Sequence, residues 1–279
     1  MVKPGLLFSL LIPIPILLYG CFSKIEPTYK EKDIPDIVKK ICKDEYNLDV
    51  TTQRTSTTLW IYAPVNKILS KDYGKKEDKI FDEELLEKLR NIITTVGRVL
   101  ISSDYTPEFF ALVASDINLG IDYTLIGNVL DMKKLFAGAI PWTEDNRRYV
   151  FKLGAVPEAV GDLTGKHLVA YDIKFPDFLA EQMAQRIAAH FQDEENKKYF
   201  KVEKYSGGFS NGTFIIEYSI TKFSKPDKEI DVQKEILDIV TYCIKSYEFK
   251  DFSTLELLDL VTQNRIILSR AAIWARPTP

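Results

Sequence analysis

The chain has 279 residues, of which 46% are hydrophobic, with 37 basic and 40 acidic side chains and a formal net charge of −3. That balance is ordinary for a globular protein and excludes disordered and collagen-like chains. A mildly acidic chain without a run of Lys and Arg carries no electrostatic footprint for nucleic acid, so no nucleic-acid partner is expected.

The amino terminus is the most informative stretch. Residues 5–20, GLLFSLLIPIPILLYG, form an apolar run behind Lys3 and end on a small residue, which is a secretory signal pattern. Pro13 and Pro15 interrupt a long helix, against a permanent span that needs about 20 apolar residues. The run closes on Leu18-Tyr19-Gly20-Cys21. These four residues resemble the lipobox of bacterial lipoproteins, in which Leu and a small residue precede a Cys. The resemblance implies a signal peptide over 1–20, read through Leu18 and Gly20 and cut before Cys21. Cys21 is then the lipidation site, carrying a diacylglycerol on its thiol and an acyl chain such as palmitate on its new amino group. The partner so implied is a membrane of the bacterial cell envelope. Tyr19 departs from the small or aliphatic residue usual at its place. Phe22, rather than Asp, follows the Cys, which in a Gram-negative cell favours the outer membrane, facing the periplasm. Residues 21–32 would serve as a lipidated tether. The stretch from Phe22 to about Lys32 spans at most roughly 35–40 Å fully extended, which keeps the body near the bilayer.

The body begins near Asp33. In Ile34–Tyr46, the recurrence of Ile34, Ile37, Val38, Ile41 and Cys42 predicts an amphipathic helix. Leu48–Thr55 and Thr58–Val65 predict a hairpin; its second strand alternates Leu59, Ile61, Ala63 and Val65 with Trp60, Tyr62 and Pro64. A charged loop, Ser70–Lys79, precedes a helix capped by Asp82, with Leu85, Leu89, Ile92, Val96 and Leu100 as its buried stripe. Glu108–Ile117 and Gly120–Asn128 predict two more strands. Residues 131–165 read as a connecting segment, with a short helix at DMKKLFAGAI, a strand at NRRYVFKL and a loop rich in Gly and Pro. His167–Phe175 predicts a strand, after which Pro176 opens a helix with Leu179, Met183 and Ile187 along its core face. Tyr199–Tyr205 and Thr213–Phe223 predict a hairpin turned at Asn211-Gly212. A helix over Glu229–Glu248, strands at Thr254–Val261 and Arg265–Trp274, and a loose tail over 275–279 complete the chain.

The halves echo each other. Thr58–Lys67 lies over Thr213–Lys222 without a gap, and Asn91–Thr106 lies over Asp238–Ser253. The expectation is an α+β fold of two diverged α-β-β-α-β units, 33–130 and 166–274, each a mixed or antiparallel sheet with helices packed on one face. This element order resembles the αββαβ unit of BON domains. LVAYDIKFPDFLAEQMAQRIAAHF followed by YFKVEKY resembles the strand-helix-strand of the TolB amino-terminal type of periplasmic domain. Both resemblances are of topology over part of the chain and transfer no functional residue.

Catalytic signatures are missing. The two histidines, His167 and His190, stand in no His-x-Glu or His-Glu-x-x-His arrangement, so no metal site is expected. Gly161–His167, GDLTGKH, has one residue too few between its glycines for a phosphate loop and lacks Ser or Thr after Lys166. Asp82-Glu83-Glu84 and Asp193-Glu194-Glu195 read as solvated helix-end caps. Cys42 and Cys243 read as buried small hydrophobes, with a disulfide between them left open by spacing alone. No catalytic residue and no cofactor is therefore expected. Trp142, Arg147, Arg148 and Tyr149 are of types enriched at interaction hot spots and form a candidate interaction surface. The strand edges offer a second route to partners. The function expected is that of a membrane-anchored envelope lipoprotein acting as a non-catalytic binding or assembly module for an envelope protein or polymer. The alternative is a membrane-proximal hydrolase whose carboxylates meet only in the fold.

Overall fold

The computed structural model describes residues 27–73, 80–104, 106–226 and 229–278. Leu18, Gly20 and Cys21 lie outside the described residues, as do Lys75–Lys79 of the charged loop. The first half runs α1 (Ile34–Tyr46), β1 (Thr51–Arg54), β2 (Thr58–Val65), α2 (Glu83–Ile101), β3 (Phe109–Asp116), β4 (Ile121–Asn128), α3 (Val129–Phe136), α4 (Trp142–Asp145) and β5 (Val150–Ala155). The second half runs α5 (Phe175–Phe191), β6 (Phe200–Ser210), β7 (Thr213–Lys222), α6 (Val232–Ser246), β8 (Thr254–Asp259), β9 (Arg265–Ser269) and α7 (Arg270–Ala275). Among the described residues no helix is long and apolar enough to cross a membrane.

The fold is α+β, with a sheet of order β1-β2-β3-β4-β5 and another of order β6-β7-β8-β9. In each, a hairpin is followed by a helix and then a strand parallel to the hairpin's second strand: β3 runs beside β2, and β8 beside β7. The parallel pairs begin alike. The Thr57 carbonyl accepts from the amides of Glu108 (2.9 Å) and Phe109 (3.1 Å), and the Gly212 carbonyl accepts from those of Ser253 (2.7 Å) and Thr254 (3.3 Å). Thr58 and Thr213 thus occupy equivalent places, as the first gapless alignment has it. The second alignment, which lays Thr106 on Ser253, is two residues out of register, because Glu108 is the structural counterpart of Ser253. β5 falls within the segment read as a connection, and it pairs antiparallel with β4 as the fifth strand of the first sheet.

Local chemistry sets the elements. The Asp82 carboxylate accepts from the Glu84 amide at the start of α2, and Leu85, Leu89, Ile92, Val96 and Leu100 are all buried. Asn47, at φ 52°, closes α1 in the left-handed region. Asn211 (φ 51°) and Gly212 (φ 74°) make the two-residue turn of positive φ that suits a twisted hairpin. Three elements differ from expectation. β6 continues through Ser206-Gly207-Gly208 to Ser210, longer than Tyr199–Tyr205. The run Arg265–Trp274 is a strand only to Ser269, whose hydroxyl accepts from the Ala272 amide and starts α7. The expected strand His167–Phe175 does not form.

That last stretch is a strap across the first sheet. One face of this sheet packs Leu59, Ile61, Phe110 and Leu112 against α1 and α2. The opposite face carries Trp60, Tyr62, Phe109 and Val113, and it is covered by Ile173 of the strap and Phe178 of α5. Strand pairing is replaced by bonds to side chains. The Trp60 indole donates to the Tyr171 carbonyl (2.9 Å), the Ile173 amide to the Thr58 hydroxyl (3.0 Å), and the Thr57 amide to Asp172 (2.8 Å). The second sheet instead buries one face only, with Phe214, Ile216, Leu255 and Leu257 against Leu179, Met183, Ile236 and Val240.

The backbones of β6 and α5 approach closely at Gly207. A Cβ on Gly207 would stand 2.0 Å from the Ala180 carbonyl oxygen, whereas one on neighbouring Gly208 would meet nothing within 4 Å. Gly207→Ala is expected to cost about 1–3 kcal/mol of unfolding free energy in urea titration. Gly208→Ala should stay within about 0.5 kcal/mol of the parent protein.

Candidate functional site

A groove of about 610 Å³ is bounded by the segment before β5, the second half of α5, the first half of α6 and Tyr205 of β6. Of the expected interaction residues, Arg147 and Tyr149 line it. Arg147 is exposed and Tyr149 half-buried. Trp142 opens α4, and its side chain lies outside the described residues. Arg148 is a correction: its side chain is 8% exposed and points into the protein, so it belongs to no surface.

Arg148 is answered on two sides. Its Nη1 donates to Asp131 Oδ1 (2.8 Å) and its Nε to Glu144 Oε1 (3.2 Å). The other Asp131 oxygen accepts from the Tyr247 hydroxyl, over whose ring the guanidinium lies at 5.2 Å. Gln182, wholly buried on α5, donates to the Arg148 carbonyl (2.6 Å) and to Tyr247 (2.9 Å). Burial pushes the Tyr247 phenol up, and the Asp131 carboxylate beside it pushes further. For Arg148, burial works against the charge, and Asp131, Tyr247 and Glu144 more than offset it, so the guanidinium stays protonated. α3, the approach to β5, α5 and the end of α6 are thereby tied at one buried ion pair.

The same network makes the groove wall. Glu144 accepts from Arg186 as well as Arg148, and Arg186 lies 5.3 Å over the Tyr242 ring. Burial opposes the Glu144 charge, but Arg186 and Arg148 hold its carboxyl below the ordinary range. Asp238, bonded to Lys234 and Arg276, is likewise held low against its burial. Two carboxylates of the groove are thus fixed as counter-ions. His190 Nε2 stands 3.5 Å from Glu235. The described lining residues include no Ser, Thr or Cys to serve as nucleophile. Arg147 is exposed on the groove and has no ion-pair partner among the described residues.

The outer edge of β5 is closed by α5 at one point. The Phe151 amide donates to Gln185 Oε1 (3.0 Å), and Gln185 Nε2 donates to the Phe151 carbonyl (2.7 Å), the two bonds a neighbouring strand would make.

A second polar cluster lies at the far end of the first sheet. His167 Nδ1 is 2.8 Å from Asp162 and Nε2 is 3.1 Å from Asp122, with the imidazole 6% exposed. Asp162 also accepts from the amides of Thr164 (2.9 Å), Gly165 (2.9 Å) and His167 (3.0 Å). The amides of GDLTGKH therefore close on the loop's own carboxylate, and no cradle is left for a phosphate. Gly165, at φ 72°, rests on the Tyr62 ring, which a Cβ would meet at 2.7 Å. The cluster latches the strap to the sheet. Both ring nitrogens are engaged, so His167 cannot ligate. Among the described residues no group of three or more His, Cys, Asp or Glu could hold a metal ion. Cys42 and Cys243 are free and buried in separate cores, and burial raises both thiols, Cys243 to about 11.

No protein-family model, no curated protein and no solved structure matches this chain. The likeness of element order to BON and TolB-type domains has no match beside it, and the TolB-type likeness also loses its first strand to the strap.

Two predictions follow from these bonds. Asp131→Asn leaves Arg148 buried without its closest counter-charge and should cost on the order of 3–5 kcal/mol. Pairing it with Arg148→Met should cost less than the sum of the single changes, as read by urea unfolding. Burial alone would lower the His167 pKa, but hydrogen bonds to Asp162 and Asp122 outweigh it and raise it. The stability gained is complete below the ordinary value of about 6.5 and is lost as pH rises through the raised one. The stability gap between the parent protein and His167→Gln should therefore be widest near pH 6 and narrow as pH rises above the ordinary histidine value through the raised one. A constant gap contradicts the latch.

Proposed function

We propose that this chain is a lipid-anchored lipoprotein of the bacterial cell envelope, whose body binds an envelope protein or polymer in the groove without chemistry. The anchoring half is carried by Leu18-Tyr19-Gly20-Cys21 at the end of the apolar run. With Phe22 after the Cys, the outer membrane is the seat in a cell that has one. The binding half is supported by the groove's composition. Tyr205, 43% exposed, and the exposed Arg147 are of the types that anchor partners, while Glu144 and Asp238 are already neutralised.

The alternative, a membrane-proximal hydrolase, needs a carboxylic acid poised to exchange a proton near neutral pH. Within the groove Glu144 and Asp238 are held low instead of raised, which weighs toward binding there; Glu108, whose carboxyl burial raises, does not line it.

Cys21→Ser should remove acylation and shift the chain from the membrane to the aqueous fraction on cell fractionation. A photo-crosslinking residue in place of Tyr205 should give discrete adducts in cells, and one in place of Ile267, 57% exposed on β9, should not. Tyr205→Ala should weaken capture of the crosslinked partner about tenfold. Adducts from neither position, or equally from both, contradict the groove as the binding site.

A further inference from the structure

Both ends of the first sheet expose apolar side chains, Leu119, Val160 and Leu163 among them at the far end, but only the opposite end receives the chain from its amino terminus. At the tether end lie Thr58, Phe109 and Asn128, with the last turn of α2 and the start of α3. Here the Tyr29 amide donates to the Ser102 carbonyl (3.1 Å), the Asp104 amide to the Tyr29 carbonyl (3.1 Å), and the Glu31 amide to Asp104 Oδ1 (2.8 Å). The chain is therefore fixed to the body from Tyr29 onward. The eight residues from Cys21 to Tyr29 reach at most about 29 Å fully extended.

The tether end also carries apolar side chains in water: Ile101 (46% exposed), Leu130 (57%) and Phe136 (48%). Phe136 packs on Gly97, one turn before Ile101 on α2. Lys133 and Lys134 stand three and four residues after Leu130, on its face of α3. Lys134 has no ion-pair partner among the described residues. Apolar tips beside Lys134, and beside Lys133, whose ammonium donates to the Thr106 hydroxyl (2.6 Å), suit the headgroup boundary of a bilayer, where stems stay apolar and ammonium groups stay wet.

We propose that the tether end of the body, through Ile101, Leu130 and Phe136, seats in the interface of the bilayer that holds the acyl chains. This rests on the lipidation of Cys21. The far end, with Leu163, lies a strand length of about 23 Å away and would consume nearly the whole tether to reach the same surface.

The full-length chain is purified from membranes after expression in a bacterium that acylates lipoproteins, as Leu130→Cys or as Leu163→Cys. Cys42 and Cys243 are buried in both. Each introduced thiol takes a polarity-sensitive fluorophore, and the protein is reconstituted in vesicles of phosphatidylethanolamine and phosphatidylglycerol. The label at 130 should lose about half its emission when the acyl chains are brominated, and the label at 163 should not change. A chain that is acylated and floats with the vesicles while the label at 130 stays open to aqueous iodide overturns the seat and leaves the anchor standing. Shielding at 130 from iodide without quenching by brominated lipid also overturns it, in favour of a protein contact at that end. A chain without acyl mass that does not float overturns both readings.

Discussion

A guanidinium taken out of water must be answered by charge where it lies, or the fold does not close around it. Arg148 is such a group, and Asp131 answers it from α3 while the Tyr247 hydroxyl, from the end of α6, holds the same carboxylate. Gln182 of α5 reads the Arg148 carbonyl. An aromatic cluster also joins the units here, Phe109 of the first sheet packing on Phe175 and Phe178, and Phe175 on Tyr247 and Phe249, so the ion pair fixes the polar side of a junction that is apolar on the other. Glu144, the outer member of the network, also holds Arg186. The groove wall is thus the exposed side of the junction, and its carboxylate is committed to structure before any ligand arrives.

The two units repeat an element order but not an environment. Trp60 and Tyr62 of β2 occupy the places of Ile215 and Glu217 in β7. The first pair needs a cover and has one in the strap. Glu217 faces water, within 3.0 Å of the Ser206 hydroxyl. The first sheet therefore became the centre of a three-layer unit, and the second remained two-layered with a polar outer face. The latch at His167 and the bonds from Asp172 to the β1–β2 turn hold the cover at both ends.

How much of this was legible depends on the range of the interaction. α1, the capped α2 whose five expected stripe residues are all buried, and the Asn211-Gly212 turn are local, and period and turn chemistry were enough to place them. The strap was misread because apolar alternation is met equally well by lying on a sheet face as by pairing at its edge. Arg148 was misread because a charged side chain in a connecting segment defaults to the surface, and its counter-charge lies 17 residues earlier. The latch joins Asp122 to His167 across 45 residues. Its one local sign was Asp162 between Gly161 and Gly165, a carboxylate placed to gather the loop's own amides. The groove had no local sign beyond Arg147 and Tyr149.

The proposed anchor and the body are physically consistent. The chain is pinned to the first unit from Tyr29, a few residues beyond Cys21, and two carboxylates of the groove wall, Glu144 and Asp238, are already matched. A body held so close to a bilayer meets its partner at the membrane or not at all. The most direct measurement is the mass of the amino-terminal peptide of the mature chain recovered from the cell envelope. The predicted peptide begins at Cys21 and carries a diacylglyceryl group on its thiol. A peptide that retains residues 1–20, or one with a free thiol at Cys21, would contradict the lipoprotein reading.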